Sequence, residues 1–310
     1  MSNFVKATPS AEAERSEEQL VLDAEQLYRE RSATRLNRRK MLTGLGIAAG
    51  AASIMGVAGC SNAGPALVAT PAGAGPSALD VLNFALNLEY LEATFYSVVV
   101  TGSGLSAADM GTGAGTASGG TRVAFTNSFV ATIAANLMQE EVEHVELLRA
   151  TIQSAFNTTP VSMPTLNLQP TTAYAVTNDA TFLAVARQLE AVGVSAYIGG
   201  AQYLVGSIPA LTYAAQILDL EAQHEGALRA ACLQLNVASP AADTLDMPPT
   251  SSKIFNTSSS MGLNPVRTIS QVLNIVYGNS SATTNPSIIA TGLSRGGFFP
   301  NGLNGAITTT

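Results

Sequence analysis

The sequence predicts an all-α fold, a bundle of four helices, on the strength of two observations. The chain contains only two histidines, His144 and His224, and each follows a glutamate by three residues. Residues three apart lie on one face of a helix, so Glu141 can point the same way as His144. Glu221 shares a face with His224 for the same reason. Two further segments carry a glutamate inside an apolar helical stripe, and a four-helix bundle would direct all of these side chains inward.

The composition and the distribution of charge argue against a nucleic-acid-binding protein. The 310 residues are enough for about two domains of ordinary size. The net charge is −7, from 15 Lys and Arg against 22 Asp and Glu. Eight of the basic and seven of the acidic residues lie in 1–59, which leaves seven basic against fifteen acidic residues beyond that point. An acidic body with one basic patch near its start does not fit a nucleic-acid binder.

The N-terminal segment resembles an export signal. Arg38 and Arg39 begin a stretch similar to a twin-arginine signal, and a weakly apolar run over 42–58 follows. The run ends in Val-Ala-Gly before Cys60, which resembles a lipobox, where the cysteine is lipidated and becomes the mature N-terminus. A transmembrane anchor is the alternative, but a spanning helix needs about 20 strongly apolar residues. A cleaved signal is therefore the favoured interpretation.

The expected product is a membrane-anchored lipoprotein, exported by the twin-arginine route to the periplasm or cell surface. The second cysteine, Cys232, falls on an apolar helical face and is expected in the core. We expect four parts, namely a signal and leader (1–59), a flexible tether (60–77), a four-helix bundle (78–237) and a loop-rich C-terminal cap (238–310).

The first helix is predicted from Ser77 onward, because apolar residues recur at three- and four-residue spacings. Glu89 lies inside this stripe, where a carboxylate is costly unless it is paired or binds a metal. Glu92 lies at the edge of the stripe and is expected at the surface, but it is one turn from Glu89 on the same face and is the reserve candidate for that ligand. The Gly- and Ser-rich residues 101–121 then predict a long mobile loop.

The second helix is predicted from Asn127 to Phe156. Glu141 and His144 lie on its apolar side, whereas three other glutamates are expected on its flank or in solvent, namely Glu140, Glu143 and Glu146. Residues 157–178, which contain three prolines, predict a crossover long enough to run the length of a bundle.

The third helix is predicted from Asp179, as N-cap, to Val205, with Glu190 in the middle of its stripe and a weak end at Gly199 and Gly200. The fourth is predicted from Pro209 to Leu235, with Glu221 and His224 on its inner face. Three tyrosines near the inner faces could support the ligands or act in redox chemistry, but are interpreted as core aromatics with satisfied hydroxyls, namely Tyr90, Tyr96 and Tyr197. The C-terminal part is expected to hold one short helix, Ile269 to Tyr277, and to cover an apolar patch with Phe298 and Phe299.

One glutamate followed by one Glu-x-x-His pair thus occurs twice along the chain. A single Glu-x-x-His pair is a weak signal, because such pairs also occur on solvated helices. Two pairs that use both histidines, with two stripe-centred glutamates, predict a two-metal site. Four carboxylates and two imidazoles suit two iron or manganese ions, and would also hold zinc. The predicted ligands are Glu89, Glu141, His144, Glu190, Glu221 and His224, with Glu141 and Glu221 as bridges.

The same segments resemble ferritin-like proteins. Asn87-Leu88-Glu89-Tyr90 and 140–146 look like the first two helices of ferritins, and 187–190 looks like the third. The Glu-x-x-His on the fourth helix is similar to rubrerythrin and other di-iron carboxylate proteins. Residues 82–93, 271–277 and 296–302 resemble a ferritin-like family that includes desiccation-related proteins of plants and bacteria. The resemblance covers about 78–305 and implies a ferritin-like bundle with a long crossover between its second and third helices.

Three functions are compatible with these patterns. The first is a di-metal oxidoreductase that oxidises Fe(II) or consumes oxygen or peroxide, like a ferroxidase, peroxidase or catalase. The second is a non-catalytic stress-protection bundle with a structural or vestigial metal site. The third is an interaction protein that uses the Ser-, Thr- and Gly-rich loops. The expected partner is the membrane, through the lipid on Cys60, while a homodimer and the electron partner stay open.

Overall fold

Four long helices form the core of the protein, of which the computed structural model describes residues 75–257, 262–278 and 292–310. The predicted export signal, Cys60 and the tether up to residue 74 lie outside the described residues. The all-α fold, a four-helix bundle with a long crossover and a loop-rich C-terminal extension, is confirmed. The helices are α1 (Ala78–Thr101), α2 (Ala107–Met110), α3 (Ser128–Phe156), α4 (Asp179–Gly200), α5 (Ile208–Gln234) and α6 (Ile269–Val276).

Short polar residues fix where the bundle helices begin. The Ser77 hydroxyl accepts from the Asp80 backbone N–H, and the Asp80 carboxylate accepts from Ser77 in return, which starts α1 with a capping box. α4 begins with a capping box at Asn178. The prediction that Asp179 is the N-cap is therefore wrong by one residue. Asp179 instead accepts hydrogen bonds from the backbone of Thr126, just before α3.

The helices pair as two hairpins placed side by side. α1 packs mainly against α3, and α4 mainly against α5, while α1 also meets α4 and α3 meets α5. Tyr96 of α1 contacts Glu190 of α4, and Glu89 contacts Tyr197, so α1 and α4 run antiparallel. None of the described helices is both long and apolar enough to cross a membrane.

The long loop expected over 101–121 has a defined backbone structure instead. It contains α2 and the two-residue strand β1 (Ala117–Ser118), which pairs in parallel with β2 (Leu166–Asn167) of the crossover. Backbone N–H and C=O groups of two loops, which lack helical hydrogen bonds, thus bond to each other. The loop composition could not indicate this pairing, because the partner strand lies almost fifty residues further along the chain.

Buried arginines attach the C-terminal cap to the bundle. Arg187 of α4 binds Asp246 with 2.7 and 2.8 Å contacts, and Arg267 of the cap donates to Ser195 of α4 at 2.6 Å. Phe298 and Phe299 are buried in the same hydrophobic core, which also includes Cys232 on the bundle side. The apolar patch of the bundle is therefore covered by the cap.

Candidate metal centre

The six predicted ligands meet in the core of the bundle. α1 supplies Glu89, α3 supplies Glu141 and His144, α4 supplies Glu190, and α5 supplies Glu221 and His224. All four carboxylates have no exposed surface, and each histidine is only 5% exposed. Charged groups are rarely buried so completely without a partner, so the cluster requires a chemical explanation.

The six residues form two overlapping groups of four. In each group, one ligand atom from every residue lies within 4.8 Å of the others. One group, here called the His144 position, consists of Glu89, Glu141, His144 and Glu221. The other, called the His224 position, consists of Glu141, Glu190, Glu221 and His224. Glu141 and Glu221 belong to both groups, which is where carboxylates that bridge two cations would lie.

The imidazoles point the same nitrogen into these two positions. Nδ1 of His144 lies 3.1 Å from Glu141, 3.3 Å from Glu89 and 3.4 Å from Glu221. Nδ1 of His224 lies 3.0 Å from Glu141 and 3.3 Å from Glu190. Each nitrogen therefore faces a small space bounded by carboxylate oxygens.

Several buried atoms of the cluster have no partner with hydrogen-bond geometry among the described residues, although some lie 3.0–3.4 Å from an imidazole nitrogen. They are Glu89 Oε2, Glu141 Oε1, Glu190 Oε2, both oxygens of Glu221 and Nδ1 of His224. Buried polar atoms nearly always have a partner, because an unpaired one costs about 1–3 kcal/mol. A convergent set of carboxylate oxygens and imidazole nitrogens fits two divalent cations, with iron and manganese among those it suits. The residues present thus fit the metal pair that the sequence predicts.

The proton equilibria of the metal-free cluster reflect its crowding. Burial raises the pKa of Glu89 to about 7, although His144 opposes the shift. Burial and the charge of Glu141 raise the pKa of Glu221 well above its usual value. Burial also acts on Glu141, but the histidines outweigh it and lower the pKa of Glu141. Burial opposes charge on His144 and His224, yet nearby carboxylates raise the pKa of both. A cation entering the cluster would therefore displace protons.

Two tyrosines interpreted as core aromatics contact the predicted ligands directly. Tyr96 of α1 donates a hydrogen bond to Glu190, and Tyr197 of α4 donates one to Glu89. Each tyrosine lies seven residues after the glutamate of its own helix, so the two contacts repeat one arrangement. Both contacts fit the alternative that these tyrosines support the ligands, whereas the Tyr90 hydroxyl donates to the Val161 carbonyl at 3.1 Å, away from the cluster.

The site includes two further carboxylates, Glu140 and Glu92, which the sequence analysis expected on a helix flank or at the surface. Glu140 was expected on the flank of its helix, but its Oε2 lies 2.8 Å from Nε2 of His224. Its side chain is still 34% exposed. Glu92 was expected at the surface and is instead 5% exposed. Burial and the charge of Glu221 raise the pKa of Glu92 well above its usual value.

Comparison with known families identifies the fold. The family model of the ferritin-like domain matches residues 77–234, just over half of the chain, and this range contains all four bundle helices. The chain belongs to the ferritin-like domain family. A search of curated proteins returned no match. All six predicted ligands of this ferritin-like protein lie within the matched range.

A small cavity lies between helices α1 and α4 of the ferritin-like bundle and the cap. Its volume is about 30 Å³, enough for about two water molecules. Leu91 and Val192 line it together with Phe298 of the cap, and Glu92 and Gly193 contribute the wall nearest the metal centre. The cavity is therefore mostly apolar, with one carboxylate at its inner end.

Proposed function

We propose that this ferritin-like protein is an exported di-metal carboxylate protein that binds two iron or manganese ions. We further propose that it oxidises Fe(II) or consumes dioxygen or peroxide in protection against stress. The observation that carries the proposal is the set of buried, unpartnered ligand atoms shared between two positions by Glu141 and Glu221. A purely structural core has no need for four buried glutamates whose oxygens face one another.

The side chains of the chain would hold the ions and control their surroundings. Glu89 and His144 would bind one ion, and Glu190 and His224 the other, between the two bridging glutamates. A bound iron or manganese pair would supply the electron exchange with dioxygen or peroxide that no amino-acid side chain here provides. Tyr96 and Tyr197 would orient the terminal carboxylates through their hydrogen bonds.

The apolar cavity beside Glu92 supports a small neutral substrate. Dioxygen and hydrogen peroxide are small enough for such a space, whereas a charged organic substrate would lose its hydration without compensation. The carboxyl group of Glu92 at the inner end of the cavity can also carry protons that oxygen reduction consumes. These features favour redox chemistry over a role in which the metal only holds the bundle together.

Metal analysis tests the proposal most directly. The full chain, purified anaerobically with Fe(II) or Mn(II), should contain about two metal ions per molecule, as measured by elemental mass spectrometry. Glu141→Ala and Glu221→Ala should each reduce this value, since each removes a ligand of both positions. Asp219→Ala is the matched control, because Asp219 is an exposed acid on the same helix as Glu221. Wild-type protein without bound metal would contradict the proposal.

Turnover separates the redox protein from a non-catalytic bundle. Fe(II)-loaded protein should consume dioxygen or peroxide faster than the same concentration of free Fe(II), as measured with an oxygen electrode or by peroxide assay. Two bound ions without turnover would favour the alternative, a desiccation-related structural or stress-protection protein with a structural metal site. The resemblance of residues 82–93 and 296–302 to desiccation-related proteins supports stress protection in either case.

The export part of the proposal rests on the sequence before the bundle. Arg38 and Arg39, the weakly apolar run and Cys60 support export of the folded protein by the twin-arginine route and anchoring through a lipid on Cys60. Replacing both arginines with lysine should stop export, and Cys60→Ala should release the protein from the membrane fraction. Normal membrane localisation of both variants would refute this part and leave the metal centre unaffected.

A further inference from the structure

The metal centre is built on an internal repeat, in which residues of α1 are equivalent to residues of α4, and residues of α3 to residues of α5. The pairing follows from position on the helices and from the symmetric tyrosine contacts described above. A perfect repeat would make the His144 and His224 positions equivalent. The matched pairs are Glu89 with Glu190, Glu141 with Glu221, His144 with His224 and Tyr96 with Tyr197.

The two halves of the repeat differ at the residue that precedes each bridging glutamate. Glu140 precedes Glu141 and places its Oε2 2.8 Å from Nε2 of His224. The matching residue before Glu221 is Leu220, whose side chain cannot accept a hydrogen bond. A carboxylate bonded to the far nitrogen of a metal-binding imidazole fixes the ring and strengthens it as a ligand. His224 therefore has a support that the repeat does not provide for His144.

The repeat is broken a second time one turn after the terminal glutamates. Glu92 follows Glu89 by three residues, and the matching residue after Glu190 is Gly193. A Cβ atom at Gly193 would lie 2.5 Å from Glu221 Oε2 and 3.3 Å from Glu92 Oε1. The missing side chain thus leaves a space that the carboxylates of Glu92 and Glu221 share.

The antiparallel packing of α1 and α4 places Glu92 between the two positions. Progress along α1 from Glu89 leads to Tyr96, which contacts Glu190 of the His224 position. Glu92 lies three residues after Glu89 and four before Tyr96, close to Gly193 and to Glu221, which belongs to both positions. Glu140 is therefore the departure from the repeat that favours one position over the other.

We propose that the two metal positions are inequivalent, and that the His224 position takes up the first divalent cation because Glu140 reinforces it. The inference rests on the proposed di-metal function. Cation affinity in oxygen-rich sites rises with the number of charged groups, and Glu140 adds one beside His224. The His144 position then binds the second ion more weakly, against the charge of the first.

The two histidines provide a direct test, since the chain has no others. Full-length protein labelled with ¹⁵N-histidine and freed of metal by chelation would be titrated with Zn²⁺ and followed by NMR of the imidazole nitrogens. His144→Gln assigns the signals by removing one set. We expect the His224 signals to change with the first equivalent and the His144 signals with the second. Signals that change together, or His144 signals that change first, would overturn the inference.

A charge-neutral variant separates the Glu140 contact from general electrostatics. Glu140→Gln should weaken binding of the first ion, by about 10-fold or more in calorimetry, and reduce the difference between the two steps. Glu143→Gln is the control, because it removes the same charge from α3 while Glu143 accepts from Gln139. An equal effect of Glu143→Gln would overturn the assignment. Failure of wild-type protein to bind any metal would instead refute the proposed function itself.

Discussion

Tyr197 of α4 donates a hydrogen bond to Glu89 of α1, and Tyr96 of α1 returns the same bond to Glu190 of α4. Both hydrogen bonds join α1 and α4, which run antiparallel in the bundle. Each holds a carboxylate that the sequence identifies as a terminal metal ligand. Because the bonds use one oxygen of each glutamate, the second oxygen is left to face the metal position.

Tyr197→Phe should therefore weaken metal binding without abolishing it. The substitution keeps the ring and removes the donor that orients Glu89, and loss of such a partner typically lowers metal affinity about 10-fold. Isothermal titration with Mn²⁺ measures the change. Tyr90→Phe is the matched control, because its hydroxyl bonds to Val161 away from the cluster. Equal affinity of the Tyr197→Phe variant and the wild type would show that this hydrogen bond does not position the ligand.

The convergence of the six predicted ligands could be anticipated because a single helix determines whether a side chain shares the face of its apolar neighbours. Glu89 and Glu190 lie within such stripes, and each Glu-x-x-His pair lies along one. The helix starts could be predicted for similar local reasons, with an error of about one residue, whereas α4 ends at Gly200 and not at the predicted Val205. The prolines of residues 157–178 indicated the crossover, and the family resemblance implied the same arrangement.

The other members of the site depend on packing between helices, which spacing along one helix does not give. Glu140 lies on the flank of α3 and reaches His224 only because α5 lies beside it. The prediction that Glu92 is exposed was wrong because Gly193, on another helix, provides the space that buries it. A seven-residue spacing from glutamate to tyrosine on both inner helices was a signal in the sequence that could have indicated Tyr96 and Tyr197.

Gly193→Ala should disrupt the metal centre although alanine is the better helix former. The added Cβ would lie 2.5 Å from Oε2 of Glu221, so the shared carboxylate must move. We expect fewer than two bound ions per chain. Gly226→Ala on α5 is the control, since no atom lies within 4 Å of its added Cβ. That variant should keep its metal and gain about 0.5–1 kcal/mol in free energy of unfolding. Full metal content in Gly193→Ala would show that Glu221 has room to shift.

Arg187→Ala should destabilise the whole fold, because it breaks a buried ion pair between the bundle and the cap. Arg187 and Asp246 are both fully buried and are joined by contacts of 2.7 and 2.8 Å. Removing one partner leaves a buried charge unpaired and should cost about 3–5 kcal/mol. Urea denaturation with a chelator present measures the loss. Lys253→Ala, an exposed cap residue, should change stability by less than about 0.5 kcal/mol. Similar curves for the two variants would mean that the ion pair does not hold the cap.

The stability of the metal-free protein should fall as the pH rises from about 5 to about 8. Burial raises the pKa of Glu89 from 4.5 to about 7. Its contribution to stability is therefore complete below 4.5 and is lost as the pH passes through about 7. The raised pKa values of Glu221, His144 and His224 act in the same direction, because the folded state keeps protons that the unfolded chain releases.

Urea denaturation across this range, with a chelator present, should give the lowest free energy of unfolding at the highest pH. Bound metal should reverse the trend, since deprotonated ligands bind cations more tightly. A metal-free profile that rises with pH would mean that the cluster is not protonated in the folded state.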